Sequence, residues 1–322
     1  MDAALHIGEP WMWGAFIGFV LVMLAVDLFL VGGNKARKVG FREAAAWSFV
    51  WFALAMLFNL VLWWHLKGAY GAEVADVKAM EFLTGYLIEK SLAVDNIFVF
   101  LMIFSFFAVP AEYQRRVLIY GVIGAIVMRA VVIGAGVWLV QEFHWILYLF
   151  GAFLVITGIK MLMVAEAEPD MNQNPLLAWF KRHLRLTPDY RGEKFWVREN
   201  GVRMFTPLFL VLIMIELSDL IFAVDSIPAI FAITTDPFIV FTSNIFAILG
   251  LRAMYFMLAG LADRFHLLKY GLAMVLVFVG AKMLIVDFYK IPIGLSLGIV
   301  GLIIATFMFA SLWVTRKPPA SR

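Results

Sequence analysis

Nine stretches of apolar residues divide the 322-residue chain, at approximately 12–31, 43–66, 81–107, 115–139, 144–165, 205–232, 238–262, 267–287 and 291–314. A bilayer core about 30 Å thick takes roughly 20 apolar residues per helix, so each stretch is long enough to cross. Lipid offers no hydrogen-bond partner to the backbone, and segments of this length satisfy their own N–H and C=O groups as helices. The fold class that follows is an all-α polytopic membrane protein of about nine transmembrane helices, with too little chain between spans for a soluble domain. Composition agrees, since only 15% of residues are charged against about 25% in a soluble domain. The first ten residues, MDAALHIGEP, carry no basic n-region and lead straight into a span, so no cleaved signal peptide is expected.

Lys and Arg accumulate on the cytoplasmic side of membrane proteins. With the N-terminus outside, the connections predicted inside hold 18 of them, including Arg115, Arg116, Arg264 and seven between 181 and 203, while those outside hold Lys67, Lys78 and Lys290. The expected topology is a periplasmic N-terminus and a cytoplasmic C-terminus. The net charge of +3 then reports membrane orientation, and no nucleic-acid partner is expected. In the long inner connection, Asn174-Pro175 reads as the start of an interfacial helix. Leu176, Leu177, Phe180 and Leu184 share one of its faces, opposite Lys181, Arg182 and Arg185. Asn200-Gly201 between β-prone runs is a hairpin signal.

Three landmarks occur twice in the same order. Ala93-Val94-Asp95-Asn96-Ile97, Arg129-Ala130 and Gly158-Ile159-Lys160-Met161-Leu162 are matched by Ala223-Val224-Asp225-Ser226-Ile227, Arg252-Ala253 and Gly280-Ala281-Lys282-Met283-Leu284. Each set covers three spans. An odd number per unit reverses the second unit in the membrane, giving an inverted repeat of three plus three helices of the sort secondary transporters use. The division read from this pattern is 1–80, two N-terminal spans; 81–165, the first repeat; 166–204, a cytoplasmic connection; 205–287, the second repeat; and 288–322, the last span and tail.

Inside their outermost few residues, the spans carry eleven charged residues: Asp27, Glu89, Asp95, Glu216, Asp219 and Asp225, with Lys90, Arg129, Lys160, Arg252 and Lys282. A charge at a helix centre costs about 2.5–3.5 kcal/mol even on the lenient insertion scale, so these residues face a polar interior and pair. The acids concentrate on the third and sixth spans. Glu89 and Asn96 lie seven apart on one helical face, and Asp219 and Ser226 repeat that spacing, with Asp95, Glu216 and Asp225 close by. Brought together, Glu89, Asp95, Asn96, Glu216, Asp219, Asp225 and Ser226 form an oxygen-rich candidate metal site. Pro228 lacks an N–H and frees the carbonyl of Val224, so a break in the sixth span is expected there. Hard oxygen ligands suit Mg²⁺, Ca²⁺, Mn²⁺ or protons, and the histidines, at 6, 65, 144, 183 and 266, lie in connections or at span ends. Arg129 and Arg252 read as counter-ions with a charge-pairing or gating role, and Lys160 and Lys282 as partners near span ends. The alternative is a buried ion-pair network that binds no ligand. Asn244, with Ser243 and Thr242, reads as a helix-to-helix hydrogen-bonding group that can add neutral oxygens.

Absence of cysteine excludes disulfides, thiolate zinc and thiol redox chemistry. Neither a phosphate-binding G-x-x-x-x-G-K-[ST] loop nor H-E-x-x-H occurs, and no enzyme and no permanently bound cofactor is expected. The segments FLTGYLIEKSLAVDNIFVF (82–100), ELSDLIFAVDSIPAIFAITTDPFIVFTSNIFAILGLRAMYF (216–256) and GAKMLIVDFY (280–289) resemble the TerC family, named for tellurium resistance, and most closely its Alx branch. The resemblance spans nearly the whole chain. It implies a bacterial inner-membrane exporter of manganese, with Asp95, Asn96, Asp225 and Ser226 at the metal path and Glu89, Glu216 and Asp219 nearby. The branch is also associated with alkaline conditions and carries a redox-modulator label. The leading expectation is a secondary transporter exporting Mn²⁺ through a midplane carboxylate site, with protonation of the same carboxylates as the coupling device. The alternatives are a membrane redox modulator or tellurium-resistance component without transport, and a scaffold within a larger membrane complex. The expected partners are a divalent metal ion and the bilayer.

Overall fold

The structure is a computed structural model that describes residues 7–26, 39–143, 145–164, 175–199, 201–259, 267–285, 288–289 and 291–315. Asp27 and the basic residues at 35, 37, 38, 264, 290, 316, 317 and 322 lie outside the described residues, as do Asn174, Asn200 and the side chains of Asp95, Lys181 and Asp225. The elements in chain order are α1 (Pro10–Val26), α2 (Phe41–Tyr70), α3 (Ala72–Phe106), α4 (Ala111–Glu142), α5 (Ile146–Val164), α6 (Pro175–His183), β1 (Trp196–Glu199), β2 (Val202–Phe205), α7 (Pro207–Phe231), α8 (Pro237–Leu249), α9 (Leu251–Ala259), α10 (Leu268–Leu284) and α11 (Ile293–Thr315).

Six helical segments among the described residues are long and apolar enough to cross a membrane: α2, α4, α5, α7, α8 with α9, and α11; α1 is a shorter apolar helix. The protein is therefore a multi-pass, mostly helical membrane protein. Large apolar side chains such as Leu21, Phe49, Trp64, Met163, Leu302 and Phe309 are exposed on α1, α2, α5 and α11, as a lipid-facing surface requires. By contrast α8 is buried at every position from Phe238 to Leu249 except the half-buried Phe241, the pattern of a helix at the centre of a bundle. It packs against α1, α2, α3 and α4, while α4 lies along α7, and α5 along α10.

Glycine sets two of these geometries. Between α2 and α3 only Gly71 intervenes, at φ 91° and ψ 169°, a conformation a side chain would strain. The apolar pattern leaves 67–80 in an outer loop. It is helical because the polar residues that interrupt the apolar run, including Lys78 and Glu81, are paired inside the protein. The α5–α10 contact is backbone against backbone: a Cβ on Gly280 would stand 2.7 Å from the Gly151 carbonyl oxygen, and one on Gly158 2.7 Å from that of Ala273. Small residues permit such approach between membrane helices, which accounts for the glycine that opens each copy of the third landmark.

Two expectations about helix breaks are corrected. The helix α7 runs through Pro228 to Phe231 without interruption, because a proline this close to the C-terminal end removes one hydrogen bond from the final turns only. The stretch 238–262 is the divided one, split at Gly250 into α8 and α9. On one side of the bundle, α6 and the antiparallel pair β1–β2 dock through Leu177 and Phe195 onto the ends of α3, α4, α7 and α9. The Tyr190 hydroxyl donates to the Phe107 carbonyl at 2.6 Å, fastening this segment to the end of α3.

Candidate functional site

A buried polar cluster joins α3, α4, α7 and α8 at the middle of the bundle, and Arg129 of α4 is its hub, 1% exposed. Its Nη1 donates to Glu89 Oε1 on α3, to Asn244 Oδ1 on α8 at 2.9 Å and to Ser226 Oγ on α7 at 3.1 Å. Its Nη2 donates to Asp219 Oδ1 on α7 at 3.3 Å. Asn244 uses both ends of its amide, since its Nδ2 donates to Glu89 Oε2 at 3.3 Å. Three residues before Asp219, at one helical turn's spacing, Glu216 sits in a notch on α4: a Cβ on Gly124 would stand within its carboxylate.

Satisfaction is incomplete. Among the described residues Asp219 Oδ2, Glu216 Oε2 and Arg129 Nε are buried without a hydrogen-bond partner. Buried polar atoms rarely go unpaired, and each one calls for a cause. A cavity of about 30 Å³, room for about one water, adjoins Arg129 and is lined by Asn96, Ser226, Leu92 and Met161. A smaller one, of about 10 Å³, lies between Asp219 and Arg252. The roomier cavity, about 240 Å³ between α1, α2 and α8, is lined almost wholly by apolar residues such as Phe16, Phe58 and Phe238, and offers no such chemistry.

The candidate residues thus sort by environment. Glu89, Asp219 and Ser226 converge on Arg129, Asn96 borders the adjoining cavity, and Glu216 flanks the group. Asp95 and Asp225 directly precede Asn96 and Ser226 on α3 and α7, but their side chains lie outside the described residues. Among the described residues, no three His, Cys, Asp or Glu side chains form a metal-holding group; a guanidinium stands within the expected oxygen cage. Arg252 is buried on α9 beside Asp219. Lys160 is exposed on α5, and Lys282, buried on the last turn of α10, faces Glu81.

Sequence reasoning missed a second charged cluster. Lys78 Nζ meets Glu81 Oε2 at 3.0 Å and Asp236 Oδ2 at 3.3 Å, and Thr234 Oγ1 donates to Glu81 Oε2 at 2.7 Å. Asp236 also caps α8, accepting from Phe238 N and Ile239 N, and it takes the Ile7 N–H at 3.1 Å. The available signal was Asp236-Pro237, an N-cap followed by proline at the first helical position.

A polytopic membrane protein with carboxylates, an amide and an arginine buried between its helices is the class defined by this fold and site. The chain belongs to the integral membrane protein TerC family, whose match covers residues 74–318. It is 58% identical over 317 residues to a protein of Escherichia coli K12 named "Putative membrane-bound redox modulator Alx", covering 98% of each chain. A protein of the same name in Photorhabdus laumondii is 57% identical, with 96% of this chain and 97% of that one aligned. An uncharacterized membrane protein of Myxococcus xanthus is 48% identical over 100% of this chain and 98% of its own. No solved structure matches.

Proposed function

We propose that this protein is a secondary transporter of the bacterial inner membrane that exports Mn²⁺ from the cytoplasm, alternating two inverted three-helix units about a midplane carboxylate site. The units are α3–α5 and α7–α10, within a total of nine spans and with the N-terminus periplasmic. The observation that carries the reading is the meeting of Glu89 and Asp219, each from the helix that opens one unit, at a single buried point. Helix packing is consistent with it: α3 lies against α8 as α7 lies against α4, while α5 pairs with α10. Burial of charge in a bilayer is costly and marks ion pathways. Carboxylate, amide and hydroxyl oxygens suit a hard divalent ion, and protonation of the same carboxylates supplies a means of release.

The relatives' name raises a redox reading. A chain with no cysteine supplies no thiol for it, and the acid-lined cluster favours transport.

The experiment is uptake of Mn²⁺ into inverted membrane vesicles. Glu89→Gln, Asp219→Asn, Asp95→Asn and Asp225→Asn are expected to cut the initial rate by tenfold or more. Accumulation at the wild-type rate by the Asp95 and Asp225 variants together removes the assigned site. Unchanged manganese content in cells lacking the protein removes the substrate.

A further inference from the structure

A guanidinium presents two N–H bonds on each Nη nitrogen. Arg129 Nη1 has three oxygens around it, Glu89 Oε1, Asn244 Oδ1 and Ser226 Oγ, drawn from three different helices. Acceptors outnumber hydrogens at that nitrogen. Directional donors serve such an arrangement poorly, whereas a metal ion, which imposes no donor direction, takes several oxygens at once. Geometry points the same way: the single Arg129 guanidinium bridges two carboxylates, Glu89 and Asp219, from two helices, as a divalent ion does. The oxygens Arg129 does not engage, Asp219 Oδ2 and Glu216 Oε2, are buried and unpartnered among the described residues. They provide further ligands beside the same point.

We infer that the Arg129 guanidinium is a tethered stand-in for the transported cation, holding the carboxylates of Glu89 and Asp219 while the site has no ion, and that a divalent ion binds by displacing Nη1 from those oxygens. This deepens the transport reading and rests on it. The cavity lined by Asn96 and Ser226 adjoins Arg129 and, with room for about one water, accepts a shift of Nη1 away from those oxygens but not the whole guanidinium. Competition between tethered and free cation weakens binding of the ion, and the return of the guanidinium helps expel it. A planar fork bridging two carboxylates is a task for arginine, which a lysine ammonium performs less well.

The test is equilibrium binding of radioactive Mn²⁺ to the purified full-length protein in nanodiscs, for wild type, Arg129→Ala and Arg129→Lys. Arg129→Ala is expected to bind at least tenfold more tightly than wild type and to lose turnover in vesicles, with Arg129→Lys between the two in affinity. Mn²⁺ is also expected to raise the melting temperature of Arg129→Ala more than that of wild type. Should Arg129→Ala fail to fold with and without Mn²⁺, Arg129→Lys, which keeps a positive charge, decides. Binding by the folded variant no tighter than wild type overturns the inference alone. Absence of binding by wild type and variants alike overturns the transport reading with it.

Discussion

Gly124→Ala is the substitution for which two rules give opposite signs. In a helix interior, alanine is favoured over glycine by about 0.8–1 kcal/mol, so an unhindered Gly124 on α4 would gain stability. The nearest atoms to a Cβ at that position are the two carboxylate oxygens and the carboxyl carbon of Glu216, all in collision with it. Overpacking of this kind costs typically about 1–3 kcal/mol, and Glu216 leaves its notch only by moving a buried carboxylate beside Asp219. A net loss of up to about 2 kcal/mol is expected for the single variant. With Glu216→Ala in place, the obstructing atoms are gone and Gly124→Ala is expected to stabilise by about 0.5–1 kcal/mol. The double-mutant cycle then has a coupling of about 0.5–3 kcal/mol. Reversible unfolding of the purified protein in mixed detergent and SDS micelles reads all four corners. A stabilising Gly124→Ala in the wild-type background, or a coupling below about 0.5 kcal/mol, refutes the notch.

Gly280→Val places its Cβ 2.7 Å from the Gly151 carbonyl oxygen; backbone cannot yield, so a loss of about 3 kcal/mol is expected in the same assay. Gly18→Ala, with nothing within 4 Å of the added Cβ, is the contrasting control and is expected to gain up to about 1 kcal/mol. Lys90 Nζ donates to the Ala247 carbonyl at 3.2 Å, and Lys90→Met is expected to cost about 1.5–3 kcal/mol through loss of that charged hydrogen bond; an unfolding midpoint equal to wild type would refute the bond's role. Burial pushes the Tyr190 phenol up from 10.0 to about 12. The folded protein therefore holds this proton more tightly than the unfolded chain, and the group's stabilisation is whole below pH 10 and lost as pH rises towards 12. Limited proteolysis of the α6–β2 segment across that window should become less pH-sensitive in Tyr190→Phe; identical profiles would count against the assignment.

Legibility in the sequence followed the strength of the physical signal. Apolar runs located the helices within a few residues because lipid tolerates little else, yet the start of α3 escaped, since Glu73, Asp76, Lys78 and Glu81 look like a solvated loop until Asp236, more than 150 residues away in sequence, is seen to receive Lys78. The acids of the centre were legible from their spacing, and so was Asn244 as a bonding group between helices. Which arginine would engage them was not. Arg129 and Arg252 occupy equivalent places in the repeated landmarks, and only the packing of α4 against both α7 and α8 decides that Arg129 collects the acids of both units. The proline rule failed at Pro228 for a reason of position, because one lost hydrogen bond near a helix end does not break the helix.

The repeat is regular in its landmarks and irregular in its chemistry, and the irregularity has a direction. Setting Ala93-Val94-Asp95 against Ala223-Val224-Asp225 places Glu89 opposite Asp219, but Lys90 opposite Leu220 and Tyr86 opposite Glu216. Each unit presses one charged side chain against a glycine of the other unit: Lys90 against Gly250, where a Cβ would stand 2.5 Å from Nζ, and Glu216 against Gly124. The lysine lies at the carboxyl end of α8, where helix carbonyls point outward and a cation is favoured, and the Ala247 carbonyl receives it. Glu216 has no corresponding donor for Oε2 among the described residues. One notch therefore holds a cation already matched to its surroundings, and the other an anion with an oxygen to spare, beside Asp219 Oδ2 in the same condition. A duplication serving packing alone has no use for that difference. On the transport reading, a positive ion finds the unmet carboxylate oxygens of the described residues on the α4–α7 side, next to the guanidinium that bridges Glu89 and Asp219.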